Sequence, residues 1–338
     1  MLCVYVFVVA FMNVRIAVVG VGYLGRHHAR ILASLPGADL VSVVDVNASR
    51  AHDVAAASGT RPLADFRDLL GHVDAVTLAV PTELHREIAL PFLAAGVHVL
   101  VEKPMARSLA EADDMIQVAA RTGAILAVGQ TERFNPAVAA ARRVLSDPRF
   151  IEVHRLGTFP ERSLDIDVVF DLMIHDVDIV LSLVSSDVEA IEAVGVPVLT
   201  GRVDIANARL RFSNGCIANL TASRISRDRV RKIRIFQPMA YLSIDYAAQK
   251  LEVFRLVKGN GPAPSIEGGE VPIENEEPLK RELADFVEAI RERRPPIVTG
   301  EDGRRALALA QQIADKITSE MQPTTEMQPR KHEDTRKT

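Results

Sequence analysis

The sequence predicts an α/β protein: a doubly wound parallel sheet at the N-terminal end, then an α+β domain with a large, mainly antiparallel sheet. Three observations carry this. Short Val- and Ile-rich runs alternate with helical patterns in the first third, as expected of parallel strands covered on both faces and joined by right-handed crossovers. After Phe134 the pattern changes to longer alternating runs separated by turns. The length of 338 residues also exceeds one ordinary domain. The expected divisions are 1–133, 134–320 and a polar, disordered tail at 321–338.

Residues 1–12 are apolar throughout. A helix of that length spans about 18 Å against a hydrocarbon core of about 30 Å. No basic residue precedes it and no small-residue cleavage site follows. It reads as an extension ahead of a more natural start at Met12, or as an added edge strand, rather than as an anchor. Strands are then expected at 14–19, 40–44, 75–80, 98–101 and 125–128, with helices at 25–35, 49–58, 82–95 and 109–121 between them. Ser108 and Glu111 form a capping-box pattern, and Gly123 stands where that helix should stop.

In the second domain a helix at 136–145 leads to a strand at 151–156, and a second helix is expected at 168–184. Strands at 207–212 and 216–223 flank Ser213-Asn214-Gly215, a hairpin signal because Asn-Gly accepts the positive φ of tight turns. Further strands fall at 231–236, 241–246 and 251–256, followed by a Gly/Pro-rich loop at 259–269. Helices at 279–291 and 304–319 close the domain.

The formal net charge of −4 argues against a general nucleic-acid or membrane binder. Cys3 and Cys216, far apart, rule out a disulfide scaffold and fit a reducing cytoplasm. No His/Glu spacing resembles a zinc site, so no metal is expected. The one basic cluster, Arg224, Arg227, Arg229, Arg231, Lys232 and Arg234, is interrupted by Asp228 and lacks interleaved aromatics. It reads as a solvated or subunit-facing sheet surface.

Gly20-Val21-Gly22-Tyr23-Leu24-Gly25 follows the first strand and opens a helix. The first glycine permits the turn, the second lets backbone approach a pyrophosphate, and the third lets helix pack on strand; free N–H groups then face the phosphates. Asp45 ends the second strand, where its carboxylate accepts from ribose hydroxyls and repels a 2′-phosphate. This is the Rossmann arrangement, and it favours NAD, with NADP as the alternative because Arg50 lies close by. His27 and His28 read as helix-surface residues, and His85 as lining the cofactor cleft.

Glu102-Lys103-Pro104 ends the fifth strand, so Lys103 points into the crevice where such sheets bind ligands. Asp171 and His175 stand at i, i+4 in an apolar helix, which places a carboxylate beside an imidazole on one face. Arg133, Asn135 and Arg162 lie where the domains should meet and are candidates for an anionic or polyhydroxyl substrate.

From about residue 14 to 317 the chain resembles the Gfo/Idh/MocA oxidoreductase family. The resemblance rests on Gly20, Gly22 and Gly25, on Ala79-Val80-Pro81-Thr82 with His85, on Glu102-Lys103-Pro104, and on Asp171-x-x-x-His175 with Asp178. It implies that Val80, Pro81, Thr82, His85 and Glu102 border the cofactor and that Lys103 and His175 carry the chemistry. The reaction implied is oxidation of a secondary alcohol on a sugar or cyclitol, with His175 as base, Asp171 fixing its tautomer, and Lys103 stabilising alkoxide character. The stretch 155–163 with 171–176 looks most like the branch acting on the 3-hydroxyl of UDP-amino sugars. Free inositol, a hexose, or a non-catalytic cofactor-sensing role are the alternatives. The family also implies a homodimer or homotetramer formed through the open sheet. One departure stands out: Asp165-Ile166-Asp167-Val168-Val169-Phe170 replaces the glycine-rich approach common in the family, which leaves the substrate open.

Overall fold

A computed structural model describes residues 13–159, 166–257 and 265–321. The apolar N-terminal stretch, Arg162, the polar tail beyond Met321 and part of the Gly/Pro-rich loop lie outside the described residues.

Strand β1 (Val14–Val19) is buried except at Arg15. It runs through the glycine turn into α1 (Gly25–Leu32). There follow β2 (Ala38–Val44), α2 (Ala48–Ser58), the three-residue β3 (Arg61–Leu63) and β4 (Ala75–Leu78). After these come α3 (His85–Ala94), β5 (His98–Glu102), α4 (Leu109–Thr122) and β6 (Leu126–Gly129). Ser108 accepts from the Glu111 N–H and Gly123 ends α4 as expected, but the Glu111 carboxylate takes the Arg107 N–H, so the capping box is only half formed. The strands form one parallel sheet in the order β3-β2-β1-β4-β5-β6. The chain therefore reverses direction across the sheet between β1 and β4, and ligands bind doubly wound sheets outside the strand ends at that point. Strand β3 was not expected. It is short and holds Pro62, which an edge strand tolerates.

The second domain opens with α5 (Pro136–Val144) and β7 (Phe150–Leu156). A π-helical turn, Val169–Met173, then feeds α6 (Ile174–Leu183). Seven strands follow: β8 (Val188–Val196), β9 (Ile205–Phe212), β10 (Ile217–Ser223), β11 (Val230–Gln237), β12 (Ala240–Asp245), β13 (Lys250–Val257) and β14 (Ser265–Glu270). The sheet order is β14-β13-β12-β11-β7-β10-β9-β8, and only β7 and β10 pair in parallel. Gly215 turns the expected hairpin with φ +84°. Strands β8 and β14 were not expected. The first is polar on much of its length, and the second falls in what reads as a Gly/Pro-rich loop. A Cβ at Gly268 would stand 1.9 Å from the Val253 carbonyl oxygen, so the glycine that suggests a loop is what lets β14 approach β13.

Helices α5 and α6 cover one face of this sheet with Val138, Ile174 and Val177. The last two helices, α7 (Pro278–Glu292) and α8 (Gly300–Met321), tie the two domains together. Helix α7 packs back on the first domain, where Leu283, Phe286 and Val287 join Ile16, Val18 and Leu32 in one core. Helix α8 gives Leu307 to the first domain's core and Leu309 and Ile313 to the second's. Shared burial of this kind resists separation of the two domains.

Candidate active site

The glycine turn has the shape a dinucleotide needs. Gly20 adopts φ +84°, and a Cβ there would lie 2.7 Å from the Ala79 carbonyl oxygen. A Cβ at Gly25 would lie 1.8 Å from the Gly20 carbonyl oxygen, so α1 rests directly on the turn. Gly22 differs: among the described residues nothing lies within 4 Å of where its Cβ would be, which leaves its backbone open to a pyrophosphate. Tyr23 and Leu24 flank the turn as exposed apolar residues. A cavity of about 580 Å³ runs from Gly20 and Gly22 past Asp45 and Val46 to Val80, Pro81 and Leu84. Val46, an apolar side chain beside Asp45 on the cavity wall, is 94% exposed. Thr82 opens the short 3₁₀ turn that leads into α3.

Asp45 is buried and fully engaged. Its Oδ2 accepts from the Val21 N–H and Arg50 Nε, and its Oδ1 from the Asn47 N–H and Arg50 Nη2, at 2.7–2.9 Å. Burial raises the pKa of such a carboxyl, but Arg50 and these two backbone donors more than offset it, so Asp45 lies below its ordinary value. A carboxylate offers about four acceptor sites, so a ribose hydroxyl reaches Asp45 by displacing Arg50. The arginine thus neutralises the carboxylate that was expected to reject a 2′-phosphate.

Lys103 leaves the tip of β5, and its surroundings fix the loop. His85 is buried beneath the loop rather than lining the cleft, with Nδ1 3.0 Å from the Pro104 carbonyl oxygen and Nε2 3.0 Å from that of Val80. Glu102 is likewise buried, its Oε1 3.0 Å from His28 Nε2. His28 is therefore not a helix-surface residue: it is fully buried and joins the dinucleotide helix to the strand that carries Lys103. Its separation of 74 residues from Glu102 hides that pairing from any local pattern.

The Lys103 ammonium crosses the crevice and donates to the Asp171 carbonyl oxygen at 2.7 Å. Its nitrogen also lies 3.8 Å from Asp171 Oδ1. The expected Asp171–His175 pair does not form. The Ile174 N–H bonds the Val169 carbonyl five residues back, and this widened turn upsets the i, i+4 alignment of a regular helix. His175 Nδ1 is instead enclosed, with no hydrogen-bond partner among the described residues. Burial, then the cations Lys103, Arg155 and Arg231, hold the imidazole well below its ordinary pKa, so it is neutral near pH 7. Arg231 had read as part of an outward-facing cluster. Its phase with the buried Ile233 and Ile235 is the signal that it shares their face.

Two arginines near the crevice are committed elsewhere. Arg133, expected to meet substrate, is buried and forks onto Asp178 at 2.6 and 2.8 Å. Arg155 forks onto Asp176 at 2.7 and 2.8 Å, reaches Glu132 at 3.0 Å, and lies over the Tyr246 ring. Both pairs anchor α6, the helix that carries His175. Asn135 caps α5 through the Ala137 N–H and donates to the Tyr246 carbonyl. Its side chain is spent on structure rather than on substrate.

Comparison with known proteins agrees with this geometry. Residues 14–130 match the model of the oxidoreductase family with an NAD-binding Rossmann fold, and residues 141–237 match the GFO/IDH/MocA C-terminal domain. The chain belongs to the Gfo/Idh/MocA oxidoreductase family. Its cofactor is NAD, and like its relatives it is a dehydrogenase. It is 38% identical to the UDP-N-acetylglucosamine 3-dehydrogenase of Acidithiobacillus ferrooxidans over 92% of this chain and 99% of that one. A solved structure of that enzyme superposes with a TM-score of 0.87 over the same shares of the two chains. The myo-inositol 2-dehydrogenase of Thermotoga maritima is 27% identical over 87% of this chain and 93% of its own. Levoglucosan dehydrogenase, solved with NADH and levoglucosan, shares the fold with a TM-score of 0.82 and 20% identity over 91% of this chain and 98% of its own.

The Asp45–Arg50 pair makes a prediction for this family member. Arg50→Gln leaves Asp45 unneutralised, so the preference for NAD over NADP rises by a few-fold, the scale of one partly exposed charge contact. Fluorescence titration with the two reduced cofactors measures the ratio; an unchanged or lower ratio contradicts this account of Asp45.

Proposed function

We propose that this enzyme oxidises the 3-hydroxyl of a UDP-amino sugar, UDP-N-acetylglucosamine being the first candidate, with NAD as oxidant. The observation that carries the chemistry is the meeting of Lys103 with the segment that bears His175. The substrate assignment is supported by identity along nearly the whole length of a relative named for that activity. A cyclitol remains the second reading because myo-inositol 2-dehydrogenase is a full-length relative at lower identity.

NAD, when bound, supplies the acceptor for the hydride. The protein's part is to remove the other hydrogen. A sugar hydroxyl is too weak an acid to ionise alone at pH 7, so His175, neutral there, takes the proton as the carbon–hydrogen bond breaks. Lys103 donates to the same oxygen and stabilises the negative charge that grows on it before the carbonyl forms. Asp171 acts on Lys103, which its main-chain oxygen holds, and so positions the ammonium.

The open face of the second sheet carries a row of rings, Phe150, Phe236, Tyr241 and Phe254, with neighbouring centroids 5.0–6.1 Å apart. We assign that face to a homodimer or homotetramer contact, since exposed apolar patches of this kind mark association surfaces. Light scattering that finds only monomer contradicts this. The free, buried Cys216 suits a reducing cytoplasm, and among the described residues no helix is long and apolar enough to cross a membrane.

Absorbance of NADH, followed on mixing the enzyme and NAD with a panel of UDP-sugars and cyclitols, tests the substrate. UDP-N-acetylglucosamine should give the highest kcat/KM, and turnover of inositol alone contradicts the proposal. His175→Ala and Lys103→Ala should each slow turnover by about 10²–10⁴ while cofactor binding is kept. Because His175 must be neutral to act and its pKa is depressed, kcat/KM should fall with acid only below pH 6.5, the ordinary histidine value. An acid limb above that value contradicts its assignment as base.

A further inference from the structure

We propose that Arg231 is a specificity residue that binds the diphosphate of the sugar-nucleotide substrate; this rests on the reading of the substrate as a UDP-sugar. The placement follows from sheet register. Arg231 on β11 pairs with Arg155 on β7, and its carbonyl accepts from the N–H of Tyr246 just past β12. Residues directly opposite in antiparallel pairs project from the same face, so Arg155, Arg231 and Tyr246 form a row across three strands. That row lies on the face that α6 covers, because Arg155 at its β7 end grips Asp176, the residue after His175. Lys232 and Arg234 alternate to the opposite face, where they pair with Asp245 and Glu152.

Among the basic groups at this end of the crevice, most are committed. Arg133 is held by Asp178, Arg155 by Asp176 and Glu132, and Arg224 by Asp204. Lys103 is engaged with Asp171. Arg231 is exposed and makes no ion pair among the described residues. It is also near enough to His175 to help depress the imidazole, so the guanidinium stands within electrostatic reach of the base. The chemistry of a sugar 3-hydroxyl fits this. Only a few covalent bonds separate that carbon from the glycosidic oxygen that bears the first phosphate. A sugar whose hydroxyl faces His175 therefore carries its diphosphate close by, and a planar guanidinium fork suits phosphate oxygens. A free cyclitol has no group for Arg231 to hold.

The test compares UDP and uridine as competitors of UDP-N-acetylglucosamine turnover by the wild type and by Arg231→Gln and Arg231→Lys, with Arg234→Gln as a control on the opposite face. In Arg231→Gln, KM for the sugar nucleotide and Ki for UDP should both rise about tenfold to hundredfold, the range for one charge-assisted hydrogen-bonded pair. The Ki of uridine, NADH binding and kcat should change little. Arg231→Lys should recover part of the loss, and Arg234→Gln should match the wild type. A merely structural role would weaken uridine and UDP alike or disturb NADH binding, and either result overturns the inference. So does an unchanged UDP affinity in Arg231→Gln while the wild type turns over the sugar nucleotide; the substrate assignment then stands alone. A wild type that neither binds UDP nor oxidises UDP-sugars removes both.

Discussion

The hydrogen bond from the Lys103 ammonium to the Asp171 carbonyl, at 2.7 Å, is the contact on which the site depends. It joins the tip of a parallel strand to a helical segment of another domain, 68 residues away in the chain. Main-chain oxygen is a good anchor for a catalytic lysine. It holds the amino group in place without the full charge cancellation that a tight carboxylate pair would bring. The same contact ties Lys103 to the segment that bears His175, so the two residues to which the proposed chemistry is assigned are brought together by one piece of geometry.

The surrounding buried charges serve that geometry. Removing ions from water is expensive, and a buried pair recovers the cost only with good geometry and further hydrogen bonds. The Arg133–Asp178 and Arg155–Asp176 forks meet that condition, and both pull α6 onto its neighbours. His85 and the His28–Glu102 pair do the same for the loop beyond β5. His175 is the exception. Its Nδ1 is enclosed, three cations lie near and no carboxylate among the described residues pairs with it, so the ring stays unprotonated near pH 7.

Much of this was legible in the sequence where the signal is local. The glycine turn, the apolar strands, the Asn-Gly hairpin and the Glu-Lys-Pro and Asp-x-x-x-His motifs depend on residues close in the chain. Failures came where the partner is distant or the local rule breaks. Arg133 and Asn135 were expected to meet substrate, but Asp178 and the Tyr246 carbonyl occupy them, and no spacing announces such pairs. The Asp171–His175 pairing assumed a regular helix, and the π-helical turn removed it. Strands β3, β8 and β14 carry proline, mixed polarity or paired glycines, each of which weakens the strand pattern.

A crystal structure of the ternary complex with NADH and UDP-N-acetylglucosamine tests the central claim most directly. The account predicts that Lys103 Nζ and one ring nitrogen of His175 both lie at about 3 Å, hydrogen-bond distance, from a single sugar hydroxyl oxygen whose carbon faces the nicotinamide. A complex in which the two side chains meet different parts of the substrate, or in which His175 stays out of contact with it, would contradict the account.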